Sequence, residues 1–267
     1  MDDYLFLAKT NEAHCIKTMV ELLHHVVKIG CFIIKPSSIN LRMIDSNKKI
    51  LIDCSLLGRN FSLFYFDNTI ENEQLNCGVN LNHMFKMIRS IKKRDTIELY
   101  IRKDSPNELN LKLVPKDLSR VTISKLMIQN VHSLDVELPN PYSNNILVNS
   151  IEFSKACKDL LSISPSLSIK AQKYFIKLHS DVHSIFSRTV ILGNYNETME
   201  TDPYLYSEEF DNEFLSKILK ISGLHQSISL CFDENSPFNI RSRVGSLGEI
   251  SLFLKSKKQL EEEKYMG

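Results

Sequence analysis

Apolar residues recur at helical spacing in four places along the chain, and each recurrence is followed by runs that alternate at the spacing of a strand. The clearest is Leu81, Met84, Phe85 and Ile88, at i, i+3, i+4 and i+7, which predicts an amphipathic helix with one buried stripe. Its opposite face carries Asn82, Lys86, Arg89 and Lys93 and is basic. Asn80 is placed to cap it, and the break after Ile91 leads into Thr96 to Ile101, a β-branched alternating strand. Taken alone, this is an ordinary surface helix whose cations face water. It acquires meaning because the pattern returns.

Near the start, the short strand Tyr4 to Lys9 precedes a helix that Thr10 or Asn11 is placed to cap. Ile16, Met19, Val20, Leu23 and Val27 form its apolar stripe, opposite His14, Lys17, Glu21, His24 and Lys28. A third helix, with Ser150 as its expected cap, carries Phe153, Ala156, Cys157 and Leu160 on one side and Lys155 and Lys158 on the other. A fourth, capped by Asp211, sets Phe214, Leu215, Ile218 and Ile221 against Glu213, Ser216, Lys217 and Lys220. The runs between them read as strands, among them Ile39 to Asp45, Val121 to Ile128 and Ser184 to Leu192. The unit is strand, helix, then about three strands, four times over, with a repeat near residue 140. This predicts an α+β fold of two similar domains.

Segment 129–142 has two prolines and no helical period, and it reads as a connector between domains 1–128 and 143–256. The charged tail 257–267 is expected to be frayed or extended.

Composition narrows the function. The 33 basic and 32 acidic side chains leave a net charge of +1, so a nucleic-acid binder must segregate its cations on one surface. Eight glycines in 267 residues supply no glycine-rich phosphate loop. The six cysteines are scattered singly and are expected to be buried thiols in a reducing compartment. The N-terminus lacks the basic and apolar run of a signal peptide, and no stretch is long enough to span a bilayer, which suggests a soluble intracellular protein. No nucleophile elbow, zincin motif or catalytic carboxylate pair is present, so neither an enzyme nor a cofactor is expected. His179-Ser180-Asp181-Val182-His183 falls on a strand and turn rather than a helix, and no metal site is expected there. Glu197, Glu200, Asp202, Glu208, Glu209 and Asp211 read as an acidic, solvated outer surface.

Several strings, in order, resemble the proliferating cell nuclear antigen family of eukaryotic-type DNA sliding clamps. They are Ile39-Asn40-Leu41-Arg42-Met43-Ile44-Asp45-Ser46, Cys77-Gly78-Val79-Asn80-Leu81, Glu152-Phe153 with Cys157-Lys158-Asp159-Leu160, Asp233-Glu234-Asn235-Ser236-Pro237-Phe238, and Leu247-Gly248. The similarity is colinear from Phe6 to Leu254 with sparse identity, as in a divergent, viral member of the family. The resemblance implies the DNA clamp fold, two domains each of two βαβββ units, with three subunits closed head to tail into a ring. Antiparallel sheets would lie outside and four helices per subunit inside.

Lys17, Lys86, Arg89, Lys155, Lys158 and Lys220 match positions that are basic in the family, and helical facing adds Lys28 and Lys217. They would contact duplex DNA through phosphates, without reading sequence. A pocket for short peptides of DNA polymerase, clamp loader and other replication or repair clients would use Ile44, Leu51, Val136, Leu138, Pro237, Phe253 and Leu254. Subunit contacts would use edge strands at Arg120 to Ile128 and Ser184 to Leu192. The implied location is the nucleus, or a viral replication compartment. Two departures stand out: Lys255-Ser256-Lys257 replaces the family's Ala-Pro-Lys, and Glu213 sits where the family tends to be basic. The same fold also serves as one subunit of a checkpoint-type hetero-ring, or as a monomeric viral processivity factor.

Overall fold

In the computed structural model of the chain, residues 3–131, 136–182, 185–196 and 203–266 are described. The chain divides into two compact units. The first comprises Met1–Ile44, Ile52–Val136 and Arg243–Ile250, and the second Asp45–Leu51, Glu137–Ser242 and Ser251–Gly267.

The elements of the first half are β1 (Tyr4–Thr10), α1 (Ala13–Val26), β2 (Ile29–Lys35), β3 (Ser38–Ile44), β4 (Ile50–Leu57), β5 (Leu63–Phe66), β6 (Leu75–Asn80), α2 (Leu81–Ile88), β7 (Thr96–Arg102), β8 (Ser105–Val114) and β9 (Thr122–Met127). One sheet of the first unit runs β5-β1-β7-β8-β9, and a second run is ordered β4-β3-β2-β6. The pairings β1–β7, β7–β8, β8–β9, β2–β3 and β2–β6 are antiparallel. The apolar stripes of both helices turn into this unit. Phe6, Ile16, Met19, Phe32, Met84 and Leu99 meet around a residual cavity of only about 30 Å³, so α1, α2 and both sheets share one close-packed core. Each such fully buried side chain contributes roughly 1.5–3 kcal/mol.

The second half repeats the order: β10 (Asn144–Asn149), α3 (Ser150–Leu161), β11 (Ser166–Ala171), β12 (Phe175–Val182), β13 (Phe186–Gly193), β14 (Tyr206–Asp211), α4 (Asn212–Ile218), β15 (Ser227–Phe232), β16 (Phe238–Val244), β17 (Gly248–Leu254) and α5 (Lys257–Met266). One sheet runs β13-β12-β11-β14 and another run is β10-β15-β16-β17. Phe153, Phe175, Phe210, Phe232 and Phe238 fill the core of the second unit. Tyr206 packs its ring 5.8 Å from Phe232 and 5.9 Å from Phe238. Strand, helix and strands thus follow one another four times, the α+β architecture that the apolar pattern predicts.

Local chemistry corrects several expectations. Asn80 caps α2 as expected, its Oδ1 accepting from His83 N at 3.0 Å. Neither Thr10 nor Asn11 caps α1, which begins one turn position later with Glu12 at the cap and no side-chain cap bond. The Glu12 carboxylate is drawn away by Ser246, whose N and Oγ donate to it at 2.9 and 2.5 Å. Ser150 is the first residue of α3 rather than its cap. Asn149 holds that place, accepting from Ile151 N and Glu152 N, while the Ser150 hydroxyl is buried and donates to His225 O. Asp211 stands at the cap of α4 without capping it, because its carboxylate is held by Lys49 at 2.9 Å.

Two elements escape the periodicity. Leu75–Asn80, just before α2 and not among the strands that the alternation predicts, form β6, which pairs along β2. The tail, expected to be frayed or extended, is the helix α5.

Candidate functional site

The four helices place their cations in different circumstances. Lys86 and Arg89 on α2, Lys28 just after α1, and Lys158 on α3 are exposed, and among the described residues they have no ion-pair partner. Lys155 is exposed but pairs with Glu152 at 2.7 Å, one turn earlier on α3. Lys217 is half-buried and pairs with Glu213 at 3.0 Å. The departure at Glu213 therefore has a concrete consequence, since it neutralises the one cation inside α4. Lys220 lies beyond α4, in the 3-10 turn Leu219–Gly223.

Lys17 is half-buried and crosslinks two helices. Its Nζ donates to the carbonyls of Ile91 at 2.8 Å and Arg89 at 3.3 Å, just past the end of α2. A cation on these carbonyls is favoured by the negative end of the helix dipole. α1 and α2 pack side by side, and His24 of α1 stacks on the Phe85 ring at 4.5 Å. His14, beside Lys17, is held neutral to lower pH than an ordinary imidazole, first by burial and then by the charges of Lys17 and Lys93.

The residues expected to take a client peptide are best described unit by unit. In the first, Ile44 and Val136 are half-buried. Arg42 fixes the Val136 end of the connector, its Nη1 donating to Val136 O at 3.0 Å while Nε donates to Asp53 at 2.8 Å. The connector's start is clamped to β6: Gln129 N donates to Gly78 O at 2.7 Å, and Cys31 Sγ donates to Val131 O. A Cβ on Gly78 would stand 2.4 Å from Gln129 O, so no other residue allows this approach. Residues 132–135 lie outside the described residues.

In the second unit, Leu138 is 38% exposed, Leu51 and Pro237 are half-buried, and Phe253 and Leu254 are buried, Leu254 to 1%. Tyr142 binds this set together: its hydroxyl donates to Pro237 O at 2.5 Å and its ring stacks 6.4 Å from Phe253. Arg42 and Tyr142 were not singled out by sequence. An arginine in a strand and an aromatic near a connector carry no signal before their partners are in place.

Among the described strands, β9 and β13 are two of those that end their sheets. β9 ends the five-stranded sheet and exposes Ile123 (56%) and Met127 (65%). β13 ends the four-stranded sheet and exposes Phe186 (54%). Ser184 lies outside the described residues. His179 Nδ1 is engaged with Thr189 Oγ1 at 2.9 Å, and His183 lies outside the described residues. Of the acidic patch, Glu197, Glu200 and Asp202 lie outside the described residues, Glu208 is half-buried, Glu209 is exposed, and Asp211 is ion-paired.

Four βαβββ modules in two units, each helix burying one apolar stripe, are the architecture of a DNA clamp. The N-terminal domain of proliferating cell nuclear antigen matches residues 5–137 and its C-terminal domain residues 138–257, and the chain belongs to the proliferating cell nuclear antigen family. It is 23% identical over 262 residues to a protein of Paramecium bursaria Chlorella virus 1 named "Probable DNA polymerase sliding clamp 1", a match covering 95% of this chain and 97% of that protein. It is 25% identical over 260 residues to proliferating cell nuclear antigen of Chaetomium thermophilum, covering 94% and 97%.

Proposed function

We propose that this DNA sliding clamp works as a closed ring of three copies around duplex DNA, tethering the polymerase to its template. The observation that carries the reading is the set of exposed cations on or beside the helices of three modules, Lys28, Lys86, Arg89 and Lys158, none with an ion-pair partner among the described residues, in a chain whose net charge is only +1. Segregated cations over a neutral background hold phosphates without reading bases, and loose phosphate contact lets the protein slide. Lys28, Lys86, Arg89 and Lys158 carry most of that contact. Lys17, Lys155 and Lys217 contribute less because their charges are already engaged. Lys220 completes the set.

The ring closes by a head-to-tail contact, β9 of one copy adding to β13 of the next. Unpaired strand edges with exposed apolar side chains favour such addition. A closed ring needs a loader to open it. Clients dock by a short peptide on the accessible apolar side chains of the second unit, Leu51, Leu138 and Pro237, with Phe253 and Leu254 buried in the same unit. The family is one of non-enzymatic scaffolds, and this member acts where its DNA is replicated, in the nucleus or a viral replication compartment.

Light scattering of the purified protein tests the ring. The expected mass is three times the 30.8 kDa of the chain, falling to one times for Ile123→Glu with Met127→Glu. A wild-type monomer at micromolar concentration would overturn the self-closing ring.

A further inference from the structure

Beyond the helices, the first unit holds a second concentration of positive charge. An open cleft of about 890 Å³ lies between the loop that follows α2 and the loop that joins β8 to β9. Lys92, Lys93 and Arg94 line one side, and Lys116 and Arg120 the other. All five are exposed, and among the described residues none has an ion-pair partner.

The two carboxylates in the cleft offset these cations only in part, Asp117 through the nearby charge of Lys92. Asp95 is buried and accepts from Lys92 N at 2.8 Å. Asp117 accepts from Ser119 N at 3.1 Å and Ser119 Oγ at 2.7 Å, bonds that also hold its carboxyl below the ordinary range. Five cations against two carboxylates leave the cleft positive, and an entering counter-charge lowers the repulsion that remains.

We propose that this cleft is a phosphate-binding track for a nucleic-acid backbone, distinct from the helix faces and starting just past the end of α2. It rests on the chain being a DNA clamp, and not on which helix cations touch DNA.

The chemistry favours a phosphodiester strand over other anions. Cations on both walls of an open cleft suit a rod of evenly spaced charges lying between them. The lining contains no aromatic side chain, so there is no platform for stacking unpaired bases, and the readout is of backbone charge alone. Along the chain, Lys86 and Arg89 at the end of α2 lead into Lys92, Lys93 and Arg94, and the cleft begins at Ser90, the residue after Arg89. Arg94 and Arg120 add planar, forked donors that match phosphate oxygens.

The test is fluorescence anisotropy of a labelled 30-base-pair duplex, read from low to moderate salt, with full-length protein. Replacing Lys93, Arg94 and Lys116 together by Gln is expected to weaken binding about 10- to 100-fold at low salt. It should also flatten the slope of log affinity against log salt by about 2 to 3, with the mass in light scattering unchanged. Unchanged affinity and slope in this variant, while Lys86→Glu with Arg89→Glu does weaken binding, would overturn the track and leave the clamp reading standing. A lower mass would assign the cleft to contact between copies instead. Labelled polyglutamate that binds wild-type protein more tightly than the duplex, and is lost in the variant, would assign it to an acidic protein segment. Failure of the wild-type protein to bind duplex would overturn both readings.

Discussion

Asp67 is almost wholly buried, and its carboxylate takes Lys103 Nζ at 2.7 Å together with the N and Oγ1 of Thr69. The Lys103 bond, followed by those from Thr69, draws its pKa from the ordinary 3.8 to about 2. The folded carboxyl therefore keeps its charge where the unfolded one has begun to protonate. The stabilisation is fully present above about pH 4 and is lost as pH falls towards 2. Asp67→Asn should be less stable than wild type at neutral pH, with the gap closing through that window, as read by urea unfolding at a series of pH values; a gap independent of pH would refute the assignment.

Burial acts in the opposite direction on the thiols. It pushes Cys54, Cys77 and Cys157 up to about 12, so at neutral pH they are packing groups rather than nucleophiles. All six cysteines are free, and five of them are buried.

At the scale of elements, α5 shows how a polar tail becomes ordered. Ser256 and Gln259 form a reciprocal capping box: Gln259 N donates to Ser256 Oγ at 3.2 Å, and Ser256 N donates to Gln259 Oε1 at 3.0 Å. Lys257 lies 3.7 Å from Glu209 and 4.0 Å from Asp211, and Gln259 Nε2 donates to Asn235 O. Lys255, just before the tail, pairs with Glu263 at 2.5 Å. Ser256→Ala should cost about 1 kcal/mol of local stability, seen as roughly fivefold faster amide exchange across 257–266. Exchange at the wild-type rate would show that the cap is dispensable. The Ser-x-x-Gln signature was legible in the chain, but the density of Lys and Glu around it argued for a solvated terminus. The acceptors that settle the matter, Glu209, Asp211 and Asn235, are distant in sequence. The misplaced caps of α1 and α3 have the same origin, since remote partners engage expected cap residues: Asn11 Oδ1 accepts from Thr96 Oγ1, and the Ser150 hydroxyl donates to His225 O.

For the whole molecule, the governing quantity is the distribution of charge rather than its sum. Lys86→Glu with Arg89→Glu reverses two exposed, unpaired cations on α2 and leaves its buried stripe of Leu81, Met84 and Ile88 intact. The expected result is shorter polymerase products in a processivity assay and a flatter salt dependence of duplex binding. If both match wild type, α2 lies off the DNA path. By the same reasoning, Lys155→Ala should matter less than Lys158→Ala, because Glu152 already screens Lys155.

The sequence by itself determined the four amphipathic helices, the α+β class, the doubled strand–helix–strands order and the family. All of these rest on the spacing of apolar residues and on short strings, which are local and survive low identity. Tertiary structure decided which cations are available. Lys86 and Lys17 look alike on a helical wheel, yet one ends in solvent and the other on the carbonyls of Ile91 and Arg89. It also decided that Lys116 and Arg120 face Lys92, Lys93 and Arg94 across one cleft. The reason is physical: periodicity reports which side of an element is buried, whereas the partner of a charge, a cap or a strand edge is chosen by residues that only folding brings near.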